Sequence, residues 1–84
     1  MDVYGGSRDT PMAARLSPQE RLGRRIREVR KAKEMSQMDL VRHHDWTLSH
    51  YQKIERGDLD PRFSTLMKIA DSFDVSLSEL FRGL

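Results

Sequence analysis

Four times along the chain a small hydroxyl residue stands where a helix would begin, and that recurrence restricts the fold more than any other feature of the sequence. Ser17-Pro18-Gln19-Glu20 supplies an N-cap hydroxyl, a proline whose missing N–H costs nothing at the first helical position, and a glutamate able to reach back to the cap. Ser36 with Asp39 repeats that box in weaker form, flanked by Met35 and Leu40 as a hydrophobic staple. Thr47 is a third cap, with Trp46 and Tyr51 as its staple, and Ser76 with Glu79 a fourth, between Val75 and Leu80. Within these bounds apolar residues recur three and four apart, as in Leu22, Ile26 and Val29, and no window alternates as a strand would. The spacing predicts helices over 18–32, 37–43 and 48–56, the last stopped by Gly57. A loop, Gly57-Asp58-Leu59-Asp60-Pro61, leads to a fourth helix whose core face is Phe63, Leu66, Ile69, Ala70 and Phe73. A final helix of about two turns opens at Ser76.

A chain of 84 residues makes at most one small domain, of the kind that buries only about 60% of its unfolded surface. Residues 1–16, with Gly5-Gly6-Ser7 and Thr10-Pro11 and no apolar period, read as a disordered tail before a domain at 17–84. Without cysteine there is no disulfide framework, no thiolate zinc site and no cysteine nucleophile. No apolar run reaches the roughly 18 residues of a membrane span, and a signal-peptide core is missing, so the expected setting is soluble and cytoplasmic, with no membrane partner. The net charge of +2 does not by itself point to nucleic acid, because clustering rather than the total carries that inference.

Two short helices with a brief turn, one longer helix before them and more helix after, form the arrangement of a helix-turn-helix domain. Periodicity alone does not distinguish it from any small bundle. The residues do more: Leu22-Gly23, Ile26-Arg27, Val29-Arg30, Met35-Ser36-Gln37 with Leu40, Ile54-Glu55-Arg56-Gly57, Pro61, Thr65-Leu66-Met67-Lys68-Ile69-Ala70 and Asp74-Val75-Ser76 resemble the phage repressor/Cro family, the XRE-type helix-turn-helix. The resemblance runs over about 22–82 and implies an all-α, five-helix bundle of the lambda-repressor-like type. It further implies a sequence-specific double-stranded DNA-binding transcription regulator, a repressor acting as a homodimer on a two-fold operator and associated with a bacterial or phage-like nucleoid.

By family position, helix 48–56 enters the major groove, with Leu48, Ser49 and Lys53 reading bases and His50 and Gln52 touching bases or phosphates. Lysine can donate to guanine O6 and N7, serine to several base edges, and leucine can meet a thymine methyl. Ser36 and Gln37 stand at the start of a helix, where backbone N–H groups and the dipole favour a phosphate. Arg42, Arg56 and Arg62 are further candidates for phosphate, Arg62 also for the minor groove. The family pairs the residues at the positions of Arg30 and Glu55, joining helix one to the end of helix three. The dimer surface is expected near helix five, where Leu77, Leu80, Phe81 and Leu84 offer more apolar area than so short an element can bury alone, with Phe81 and Leu84 the better interface candidates. The sequence departs from the family pattern where Glu34 and Asp45 replace glycines, where Val41 replaces alanine, and where Arg62 replaces a capping serine. Asp45 tolerates a left-handed backbone, Glu34 implies an altered turn, and the fourth helix loses its cap or takes it from Asp60.

The arginine-rich first helix reads as a solvated face, since it packs behind the motif and charge runs are common on exposed helices. Trp46 and Tyr51 read as core. His43, His44, Asp45 and His50 lack a tetrahedral arrangement, so no metal or other cofactor is expected. There is no Gly-x-Ser-x-Gly elbow and no phosphate-binding glycine loop, so no enzyme is expected either. The competing function is a protein-interaction module on the same fold, such as an antitoxin that neutralises a protein partner.

Overall fold

A computed structural model describes residues 15–84, so the tail expected over 1–16 lies, apart from its last two residues, outside the described residues. The described residues form five helices: α1 (Pro18–Ala32), α2 (Gln37–Arg42), α3 (Leu48–Arg56), α4 (Phe63–Ser72) and α5 (Leu77–Leu80). Capping explains the boundaries. Reciprocal boxes form at Ser17 with Glu20 and at Ser36 with Asp39, and the Thr47 and Ser76 hydroxyls accept the backbone N–H groups of His50 and Glu79. Arg62 precedes α4 with no side-chain cap bond, so neither it nor Asp60 replaces the capping serine. The last helix is a single turn rather than two.

One core serves all five helices: Ile26 and Val29 from α1, Leu40 from α2, Tyr51 and Ile54 from α3, Leu66, Ile69, Ala70 and Phe73 from α4 and its end, and Leu80 from α5. Phe63 corrects the expected core face of α4. It lies 66% exposed at the first turn, because the apolar stripe of α4 reaches the interior only from Leu66 onward. Trp46 packs on the core rather than within it, its ring stacked 4.2 Å from that of His44 and 6.2 Å from that of Tyr51.

The strongest packing joins α1 to α3, and it depends on Gly23. A β-carbon there would stand 2.4 Å from the Glu55 carbonyl oxygen and 2.7 Å from that of Ile54, both backbone atoms that cannot step aside. The absence of a side chain lets the two helices touch backbone to side, which fixes how far α3 projects.

Three helix ends share one geometry. After α1 the Met35 N–H bonds the Arg30 carbonyl and the Glu34 N–H that of Lys31. After α3 the Asp58 and Gly57 N–H groups bond Lys53 and Ile54. After α4 the Val75 and Asp74 N–H groups bond Ala70 and Asp71. This is the Schellman pattern, and its left-handed position holds Glu34 (φ 57°), Gly57 (φ 78°) and Asp74 (φ 56°). Glu34 therefore corrects the expectation of an altered turn: the turn is kept and the glutamate bears the strain. Asp45 corrects the companion expectation, since Glu34 and Asp74 are the non-glycine residues of positive φ among those described. Gly57 is required twice, because a β-carbon there would also lie 2.6 Å from the Glu20 α-carbon.

Left-handed backbone costs a non-glycine residue on the order of 1 kcal/mol. Glu34→Gly should therefore stabilise the domain by about 1 kcal/mol, raising Tm by roughly 4–8 °C in thermal unfolding followed by circular dichroism, and Asp74→Gly by less, since aspartate tolerates a left-handed backbone better than glutamate. Gly23→Ala should act oppositely, lowering stability by about 1–3 kcal/mol through overpacking.

Candidate nucleic-acid interface

Glu55, at the end of α3, organises the site. Its side chain, only 4% exposed, accepts from Arg30 Nε at 2.7 Å and the Tyr51 hydroxyl at 2.5 Å on one oxygen. The other oxygen accepts from Arg30 Nη2 at 3.2 Å and Gln37 Nε2 at 3.0 Å. Four donors thus meet the roughly four lone-pair positions of one carboxylate. Arg30 is held as firmly, since its Nη1 donates to the Met35 carbonyl at 2.8 Å. The expected pair between helix one and helix three is present, and it extends into α2 through Gln37.

Burial alone would raise the Glu55 pKa, but hydrogen bonds from Arg30, Tyr51 and Gln37 outweigh it and hold the carboxyl below its ordinary value. The bond to Glu55 raises the Arg30 pKa, and burial with the Glu55 contact raises that of the Tyr51 phenol. Removing one member of such a pair leaves an uncompensated charge, so the network fixes the angle of α3 more than it adds net stability.

Gln37 connects this buried anchor to the surface. Its Nε2 serves Glu55 while its Oε1 accepts from Gln52 Nε2 at 3.2 Å, which ties the start of α2 to the middle of α3. Ser36 is committed to its own helix: the hydroxyl accepts the Asp39 N–H at 3.1 Å and the backbone N–H donates to the Asp39 carboxylate at 2.7 Å. A groove opens here, lined by Arg27, Gln37, Met38, Leu48, Gln52 and Arg56 among others. A second depression lies against His50, with Pro61, Arg62 and Thr65.

At 100° per residue, Leu48, Gln52 and Arg56 fall on one side of α3 and His50 on the other, with Ser49 and Lys53 between them. The helix is therefore a ridge whose crest bears Ser49 and Lys53, both exposed, with a depression on either flank. Leu48 is half-buried in the Gln37 flank. Arg62 belongs to the opposite flank, beside His50. Arg56 and Arg42 are held in surface ion pairs, with Asp58 at 2.9 Å and Asp39 at 3.8 Å. Exposed pairs of this kind are worth at most about 1 kcal/mol, so a phosphate can displace the carboxylate. Leu77 packs against the core, whereas Phe81 and Leu84 are 36% and 48% exposed.

Sequence reasoning missed three features. Arg25, read as part of a solvated face, donates to the Leu80 and Glu79 carbonyls at 3.1 and 2.8 Å and to the Glu79 carboxylate at 3.2 Å, closing the end of α5. No local pattern marks a partner more than fifty residues away. His44 fastens the α2–α3 turn to α4. Its Nε2 lies 2.7 Å from the Ser72 hydroxyl, which is also 2.9 Å from the Lys68 carbonyl, an arrangement that fits an imidazole donating to the hydroxyl while the hydroxyl donates to the carbonyl. Arg27 lines the groove from α1, where its three-residue offset from Arg30 was the available signal.

Taken together, a capped two-helix motif, a buried brace behind its second helix and a polar crest in front define a helix-turn-helix domain. The helix-turn-helix family model matches residues 26–80, and the chain belongs to that family, in its XRE-type form. It is 33% identical over 58 residues to an uncharacterised HTH-type transcriptional regulator, y4dL, of Sinorhizobium fredii; the match takes in 69% of this chain but only 30% of that relative's length. Among solved structures it resembles the restriction-modification controller protein C.AhdI of Aeromonas hydrophila, at a TM-score of 0.71 and 32% identity, covering 75% of this chain and 96% of that one.

Acid should weaken the domain in two windows. The His44 pKa is lowered, first by burial and then by the positive charges of Lys68 and His43, so the unfolded chain takes up the proton more readily and stability falls as pH drops below about 6.5. Glu55, also lowered, contributes stability that is present above the ordinary glutamate value of about 4.3 and lost as pH falls through its folded value. In melting experiments across this range, Glu55→Gln should be destabilised by roughly 3 kcal/mol at neutral pH and lose much of the lower window. An unchanged acid profile in that variant would contradict the assignment.

Proposed function

We propose that this chain is a sequence-specific double-stranded DNA-binding transcription regulator, of the repressor kind, in which α3 lies in the major groove. The observation that carries this reading is the α3 ridge: an exposed crest of Ser49 and Lys53, a flank of polar and cationic groups on each side, and a buried brace that holds the ridge at one angle. A major groove about 12 Å wide admits such a helix, and preorganisation lowers the cost of ordering side chains on binding. Ser49, Lys53 and Leu48 read base edges. Gln52 and His50 flank them. Gln37, Arg42, Arg56 and Arg62 take phosphates, and Arg62 lies where it can test minor-groove width. Ser36 contributes by shaping the α2 terminus.

One helix reads only a few base pairs, so the working form is a homodimer on two half-sites about one helical turn apart. Phe81 and Leu84 supply apolar surface for that contact, with Leu77 supporting them from the core. The protein works where its operator is, on nucleoid DNA in the cytoplasm.

Selection of bound duplexes from a random pool tests binding, sequence and half-site spacing together, and recovery of no preferred sequence at low salt would overturn the reading. Lys53→Ala should relax preference at one base position by about 1–3 kcal/mol, measured by competition between duplexes. Gln37→Ala should weaken all duplexes alike. The reverse pattern would exchange the two roles.

A further inference from the structure

The seven basic side chains of α1 and the residue after it, between Arg21 and Lys33, do not share one environment. Arg25 and Arg30 turn inward onto Glu79 and Glu55. Arg24, Arg27 and Lys31 are exposed and have no ion-pair partner among the described residues. Glu28, the one carboxylate that α1 places among them, lies 3.7 Å from Arg25. Like charges three and four apart on a helix repel, and the single charge of Glu28, four residues after Arg24 and three before Lys31, offsets only part of the Arg24, Arg27 and Lys31 row.

The position of the row points to its counter-charge. Arg27 lines the same groove as Gln37, Leu48, Gln52 and Arg56. It shares a neighbouring depression with Arg24, Lys31 and Glu28, and a third, lined also by Glu20, Glu55 and Asp58, joins it and Arg24 to Arg56. Cationic side chains therefore continue from the flank of α3 onto the outer face of α1, with the carboxylates of Glu20, Glu28 and Asp58 interleaved among them. From Arg24 to Lys31 the helix rises about 10 Å, the length of roughly three phosphates on one strand.

We propose that Arg24, Arg27 and Lys31 form a phosphate clamp that grips the DNA backbone beyond the base pairs contacted by α3, so that α1 widens the footprint of each half-site without reading sequence. This inference rests on the DNA-binding reading of α3. Each phosphate neutralised contributes about 0.9 to the slope of log affinity against log salt.

The test compares the full chain with Arg24→Gln/Arg27→Gln/Lys31→Gln and with the charge-preserving Arg24→Lys/Arg27→Lys, all three checked by circular dichroism to be folded at the titration temperature. Binding is titrated from 50 to 200 mM salt on the duplex selected from a random pool, and on that duplex trimmed to its sequence-specific base pairs. The glutamine variant should show a slope smaller by about 2.7, so that the affinity lost over this salt range shrinks about 40-fold, with the preferred sequence unchanged. The lysine variant should keep the parent slope. Trimming should weaken the parent and spare the glutamine variant. A parent that binds while the glutamine variant keeps the full slope overturns the clamp alone, and so does a variant whose base preference relaxes in step with its slope, because the row would then be acting through α3. A parent that binds no duplex at 50 mM salt overturns the DNA-binding reading itself.

Discussion

The structure depends on the contact between α1 and α3. Two devices act at one place: Gly23 lets the backbones approach until a single added carbon would collide with the Glu55 carbonyl, and the Glu55 side chain binds Arg30 across the same seam. Steric fit sets the separation and the ion pair sets the rotation. Everything that faces outward from α3 inherits its position from these two constraints, including the crest residues and the Gln37–Gln52 bridge. A small domain has few apolar contacts with which to hold a helix at a defined angle, and a fully satisfied carboxylate supplies the direction that a greasy core lacks.

Much of this was legible in the sequence because its causes are local. Three of the five helix starts followed from hydroxyl-to-carboxylate spacing, and Gly57 marked the end of α3 since a left-handed turn favours glycine. The Arg30–Glu55 pair became visible only through family resemblance, as nothing in either neighbourhood requires the other. Asp45 and Glu34 show a different limit. Both replace glycines, but only one position actually adopts left-handed backbone, and residue type alone does not say which. Phe63 was misplaced because periodicity identifies a face without saying where along a helix that face leaves the core. Arg25 and His44 were missed for a common reason: their partners lie far along the chain and include backbone carbonyls and a serine hydroxyl, groups that every sequence contains in abundance.

The site divides the same way. Lys53 and Ser49 occupy the crest that their spacing on α3 implies, whereas the commitment of Ser36 to its own capping box emerges only from the hydrogen bonds. Arg56 and Arg42 carry ready-made carboxylate neighbours, so in the free protein their charge is partly answered by Asp58 and Asp39. An anion arriving at those positions would have to exchange places with these carboxylates.

The single turn of α5 has a thermodynamic meaning of its own. Four residues cannot sustain a helix unaided, so this element exists through the burial of Leu80 and the arginine that bonds its final carbonyls from α1. Its opening therefore involves far less surface than separation of α1 from α3, and its amides should exchange with solvent at a correspondingly lower free energy. Among the described residues, the free energy of local opening should therefore fall from the brace behind α3 toward α5.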